Sequence, residues 1–145
     1  MESKQSLEIL IGDDMFLMPV DAMMAQNQYL EPLKERIPGY DVRLSYASTP
    51  EEMLTEASRG TYDVIISDLD YGTTGRMGTE GFDVCNGVNK MNLSKKPFLV
   101  LCTSRDDVQK QIKKLLYEGK IGAVVTPKSK HKFNALAEFL EEKYI

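Results

Sequence analysis

The chain holds one histidine and two cysteines in 145 residues, with no tryptophan. A lone His131 has no companion ligands, so a histidine metal centre is excluded and a catalytic role is disfavoured. Cys85 and Cys102 carry no CxxC spacing, and Cys102 lies inside an apolar run. Two buried free thiols in a reducing cytoplasm are therefore expected, not a disulfide. No apolar run approaches transmembrane length, and residues 1–6 are too polar for a signal peptide. The expectation is a cytoplasmic protein without a membrane partner. Internal repeats and low-complexity segments are also missing. Positive charge is in short supply: 18 Lys and Arg against 22 Asp and Glu give a net charge of −4. The basic residues are scattered, which argues against direct nucleic-acid binding. Residues 71–81 hold several glycines but match neither GxGxxG nor a P-loop, so a nucleotide cradle is not expected.

What is present is an ordinary globular composition, 42% hydrophobic and 28% charged, at a length that suits one domain. Apolar strands at residues 7–12, 41–46, 62–67, 98–102 and 122–126 alternate with helical patterns. The first helix falls within residues 19–36, where Leu30, Leu33 and Ile37 keep helical spacing and Pro32 should interrupt it. Thr49-Pro50-Glu51-Glu52 predicts an N-cap, a proline in the first turn and a capping box. Gly60 and Gly119 mark helix ends. Further helices are expected over 82–91, over 106–118 with Val108, Ile112, Leu115 and Leu116 on one face, and after residue 130. In the last, Phe133, Leu136, Ala137 and Leu140 share a stripe. Met15, Met18, Met23 and Met24 read as adaptable packing or a partner-facing loop. The alternation implies an α/β fold: right-handed crossovers and a parallel sheet covered on both faces.

In such a sheet, all strands release their carboxyl ends on one edge, where ligands bind. The first strand runs into Asp13-Asp14, the third into Asp68, and the fourth into Thr103-Ser104. Each alone has a bland reading. Asp13-Asp14 could be a turn, Thr103 an N-cap for the fourth helix, and Lys128 a solvated lysine in a basic run. Together they place three carboxylates and a hydroxyl on one edge. Such carboxylates repel one another unless a cation intervenes, and magnesium suits an all-oxygen site. A carboxylate beside it can attack phosphorus and form an acyl phosphate.

On these residues the chain resembles the receiver domains of two-component response regulators, including chemotaxis-type single-domain receivers, over nearly its whole length. Asp13-Asp14 match the acidic pair, Asp68 the phosphoacceptor, and Thr103-Ser104-Arg105 the usual Thr-Ala-Arg run, with Cys102 as the competing hydroxyl alignment. The resemblance implies a flavodoxin-like doubly wound (βα)5 fold, strand order 2-1-3-4-5, spanning residues 1–145 as one receiver domain. It implies that Asp14, Asp68 and the backbone carbonyl of Asp70 bind Mg2+, with Asp13 acting largely through water. It further implies that Asp68 accepts a phosphoryl group from a sensor histidine kinase or histidine phosphotransfer protein. A downstream protein partner would read the result, and a homodimer through helix four, strand five and helix five is one arrangement it offers. Two positions depart from the family. Thr126 stands where a lysine precedes proline, leaving Lys128 as the candidate that reaches back, and Thr126-Pro127 is expected to be cis. Ala123 stands where the family has a switch aromatic.

Two rivals share the same residues. Asp68-Leu69-Asp70-Tyr71-Gly72-Thr73 resembles the first motif of haloacid-dehalogenase-type phosphatases, with Thr103 and Lys128 as further motifs. Two strands precede it here, however, and no acidic motif follows the lysine except Glu138, Glu141 and Glu142 on a helix. The other rival is a pseudo-receiver, a binding module that is not phosphorylated.

Overall fold

The computed structural model describes residues 5–13, 23, 31–71, 78–103, 105–125 and 132–144. Five strands, β1 (Gln5–Gly12), β2 (Tyr40–Ala47), β3 (Val64–Asp68), β4 (Phe98–Cys102) and β5 (Ala123–Val125), form one parallel sheet in the order β2-β1-β3-β4-β5. The helices are α1 (Glu31–Arg36), α2 (Pro50–Ala57), α3 (Glu80–Lys90), α4 (Gln109–Tyr117) and α5 (Lys132–Tyr144). This is the flavodoxin-like arrangement.

The two-residue period of a strand splits the sheet's side chains between two cores. Ile9, Ile11, Val64, Ile66 and Val100 pack with Leu33, Ile37, Leu136 and Leu140, so α1 and α5 cover one face. Leu10, Ile65, Leu99 and Leu101 pack with Met53, Val84, Val88, Ile112 and Leu115, so α2, α3 and α4 cover the other. The central strands are therefore apolar on both faces, and each fully buried Leu or Ile contributes roughly 1.5–3 kcal/mol.

Local signals act largely as anticipated. Thr49 is the N-cap of α2: its hydroxyl accepts the Glu52 N–H at 3.1 Å. Glu52 reaches back one residue further than a capping box requires, accepting the Ser48 N–H at 3.1 Å. Gly60 (φ 70°) and Gly119 (φ 71°) take the left-handed conformation after α2 and α4, where a β-carbon would be strained. Pro32 lies within α1, which is described over Glu31–Arg36. Several boundaries shift. β3 extends to include Asp68, α3 begins at Glu80, and α4 begins at Gln109. Among the described residues no helix is long and apolar enough to cross a membrane and no peptide is cis. Thr126 and Pro127 lie outside the described residues, as do Met15, Met18 and Met24, while Met23 is exposed.

Candidate functional site at the carboxyl edge

Strand order reverses between β1 and β3, which makes their carboxyl ends the expected crevice. In register, Gly12 faces Ser67, and Asp68 faces Cys102. Asp13 follows Gly12, and its N–H continues the ladder to the Ala47 carbonyl at 3.0 Å. Asp13 and Asp68 thus close the adjacent strands β1 and β3, with Cys102 flanking Asp68 on the other side. Asp13 is only 5% exposed, while Asp68 is half-buried. The Asp68 Oδ1 accepts the Leu69 N–H at 2.9 Å, which orients the carboxylate against its own backbone.

Cys102 is buried, and its thiol is pushed up to about 12, first by burial and then by the charge of Asp68. The thiol stays protonated at neutral pH. Thr103 is also buried, and its N–H bonds to the Val125 carbonyl at 3.0 Å. Its hydroxyl accepts the Arg105 N–H at 3.1 Å. It does not cap α4, which starts six residues later behind Val108; the acidic pair Asp106-Asp107 lies in the intervening turn. Asp14 and Lys128 lie outside the described residues. Ala123 is half-buried opposite Val100 in β5.

Three features escaped sequence reading. Tyr71, assigned to a glycine-rich loop, is 2% exposed and its hydroxyl pairs with the Ser67 hydroxyl at 2.8 Å behind Asp68. Burial drives this phenol well above the usual range. Gly81, also assigned to the loop, lies in the first turn of α3, and its N–H bonds to the Leu69 carbonyl at 2.8 Å. A β-carbon there would collide with the Asp68 carbonyl oxygen. The third is a set of polar contacts to Tyr71 and Gly78. Glu80 accepts the Tyr71 N–H at 3.1 Å. Arg105 donates to the Gly78 carbonyl and, through Nε and Nη2, to both Asp107 oxygens at 3.0 and 2.7 Å. The Asp107 hydrogen bond is the main cause of a raised Arg105 pKa, and the charges of Asp70 and Glu80 add to it. The only signal for Arg105 in the sequence is its place two residues after Thr103.

Asp13, Asp68 and the Asp70 carbonyl offer oxygen alone, which fits a hard dication. Among the described residues no three acidic or thiol side chains are placed to hold a metal. A cavity of about 470 Å³ opens elsewhere, at the amino edge between Asp63, Lys96, Phe98, Lys120 and Lys143.

No family model and no curated protein sequence matches the chain. Solved structures do share its fold. A chemotaxis protein of Vibrio cholerae superposes with a TM-score of 0.64 at 19% identity, over 97% of this chain and 99% of that one. The receiver domain of a Pseudomonas aeruginosa sensor histidine kinase, solved with magnesium in its active-site cleft, gives 0.57 at 15% identity over 98% of each chain. A redox sensor from the streptococci, of a family evolved from two-component response regulators, gives 0.61 at 13% identity, covering 95% of this chain and 51% of that one. The chain has the fold of receiver domains.

Proposed function

We propose that the chain is a phosphoacceptor receiver domain of a two-component phosphorelay, with residues 1–145 acting as one such domain. What supports this reading is that Asp13 and Asp68 close the adjacent strands β1 and β3 at the switch point, on the receiver fold. A sensor histidine kinase or histidine phosphotransfer protein supplies the phosphoryl group. An Asp68 oxygen bonds to phosphorus as the P–N bond of the phosphohistidine breaks. The imidazole leaves with the electron pair and takes up a proton.

Asp13, Asp14, Asp68 and the Asp70 carbonyl would hold Mg2+, which supplies charge neutralisation when bound. Asp68 is aligned for attack by the Leu69 N–H and by the α3 turn packed behind its carbonyl. Thr103 would offer its hydroxyl to a phosphoryl oxygen, and Lys128 is the candidate cation. The acyl phosphate carries about −1.5 to −2 charges where the carboxylate carried −1. With alanine at position 123 the change cannot be read by a swinging ring; α4, β5 or the segment after Tyr71 carries it to a protein partner or to a second copy through α4, β5 and α5. The expected setting is the cytoplasm.

The test is intact-mass measurement after incubation with Mg2+ and acetyl phosphate. A stable gain that disappears in Asp68→Asn and on chelation of the metal supports the reading. The departures at Thr126 and Ala123 favour one alternative, an unphosphorylated interaction module, and no gain from any donor would establish it instead. Rapid turnover of phosphate esters would assign a phosphatase.

A further inference from the structure

We infer that the cavity at the amino edge of the sheet is a second ligand site, and that it takes a small organic dianion: a phosphate monoester or dicarboxylate head on a compact, ring-bearing body. The cavity opens where β3, β4 and β5 begin, at the edge opposite Asp68, and its volume of about 470 Å³ is that of a small-molecule pocket. Lys96, Lys120 and Lys143 line it, and among the described residues the one carboxylate on its lining is Asp63. That balance departs from the chain as a whole, whose net charge is −4. Asp63 is already engaged, by Lys95 at 3.1 Å and by the Glu8 N–H at 2.9 Å. Glu118 answers Lys120 at 3.1 Å. Lys96 and Lys143 join no ion pair among the described residues. Two positive charges on the lining are thus left for a ligand, and a dianion matches them.

The apolar part of the lining is held in place before any ligand arrives. The Phe98 ring stacks on Phe139 with centroids 6.2 Å apart, and Lys143 Nζ lies 3.7 Å from its centroid. Gly122 gives the ring its room, since a β-carbon there would collide with it. The ring in turn steadies the Lys143 ammonium at the cavity. Tyr144, half-buried and packed edge-on against Tyr40 at 5.3 Å, supplies a second aromatic wall. Cations beside fixed aromatic surface suit a ligand with charge at one end and a ring at the other, because little side-chain freedom is lost on binding. A bare inorganic anion would use only the cationic half.

The experiment titrates the full chain, without Mg2+, with adenosine monophosphate, phthalate, inorganic phosphate and adenosine, and follows the backbone amide shifts by NMR. Saturable shifts centred on Lys96, Phe98 and Gly122 with either dianion support the site, and the tighter of the two names its head group. Inorganic phosphate and adenosine each carry half of the chemistry and should bind at least about tenfold more weakly. Lys143→Gln and Lys96→Gln should each weaken the tighter probe by about tenfold, the loss expected for one charged hydrogen bond. Lys110→Gln, at an exposed lysine of α4, should leave binding unchanged. Unshifted resonances away from the cavity show that each variant is folded. The inference is overturned if neither dianion gives saturable shifts, or if the shifts gather at Asp13 and Asp68 instead. Inorganic phosphate binding as tightly as the ring-bearing probes, or an equal loss in Lys110→Gln, overturns it as well, since either marks a diffuse charge effect. All of these outcomes leave the phosphoacceptor reading to its own test by intact mass.

Discussion

β3 is bracketed by two aspartates with opposite fates. Asp63, just before the strand, is stapled on all sides. Its N–H and carbonyl bond to Glu8 and Phe98 at 2.8 and 2.9 Å. Its carboxylate accepts the Glu8 N–H at 2.9 Å and pairs with Lys95 at 3.1 Å. Asp68, five residues on, ends the strand opposite Cys102, whose thiol stays neutral. Position in the sheet, rather than residue type, separates the two. At the amino edge the fold provides its own cation and the aspartate is a structural staple. At the carboxyl edge Asp68 lies where parallel sheets bind their ligands.

The sharpest break in that comparison comes from exchanging the two roles. Asp68→Asn should abolish phosphoryl uptake and leave stability near wild type. Asp63→Ala should retain uptake and lose about 1–2 kcal/mol in urea unfolding, from an unsatisfied N–H and a half-exposed ion pair. Uptake lost in both variants would erase the distinction.

Alkaline pH gives the next largest effect. Burial raises Cys102 and Cys85 from 9.0 to about 12. Both thiols are neutral in the folded chain but ionise near pH 9 when unfolded, so the stability they supply is complete below pH 9. It is lost as pH rises toward 12, at up to about 1.4 kcal/mol per pH unit for each thiol. Tyr46 and Tyr144, also raised to about 12, steepen the fall above pH 10. Denaturant melts at pH 7, 9 and 10.5 check the sign, and a Cys85→Ala, Cys102→Ala double variant should flatten the slope between pH 9 and 10.

Gly81→Ala forces a methyl against the Asp68 carbonyl and should cost about 1–3 kcal/mol while also slowing phosphoryl uptake, because α3 can no longer seat behind the acceptor. Thr49→Ala is the counterpart far from the site. It removes the α2 cap, costs about 1 kcal/mol, and should leave uptake unchanged.

Strand alternation and the capping residues made the sheet legible from sequence, because each depends on neighbours within a few positions. The same logic brought Asp13, Asp68 and Thr103 to one edge, since a parallel sheet fixes where strand ends go. Tyr71, Gly81 and Arg105 were hidden for the opposite reason. Tyr71 and Gly81 sit beside glycines that read as a loop, and only packing against Ser67 and the Asp68 carbonyl reveals them. Arg105 meets Gly78 across 27 residues, a contact no local pattern encodes.

The most direct measurement locates the adduct. The chain is treated with Mg2+ and acetyl phosphate, reduced with borohydride, and digested for tandem mass spectrometry. An acyl phosphate at position 68 is reduced there alone, leaving homoserine, and Asp63 and Asp13 stay unmodified. Reduction at any other acidic residue, or none at 68 while the intact protein gains mass, contradicts the account.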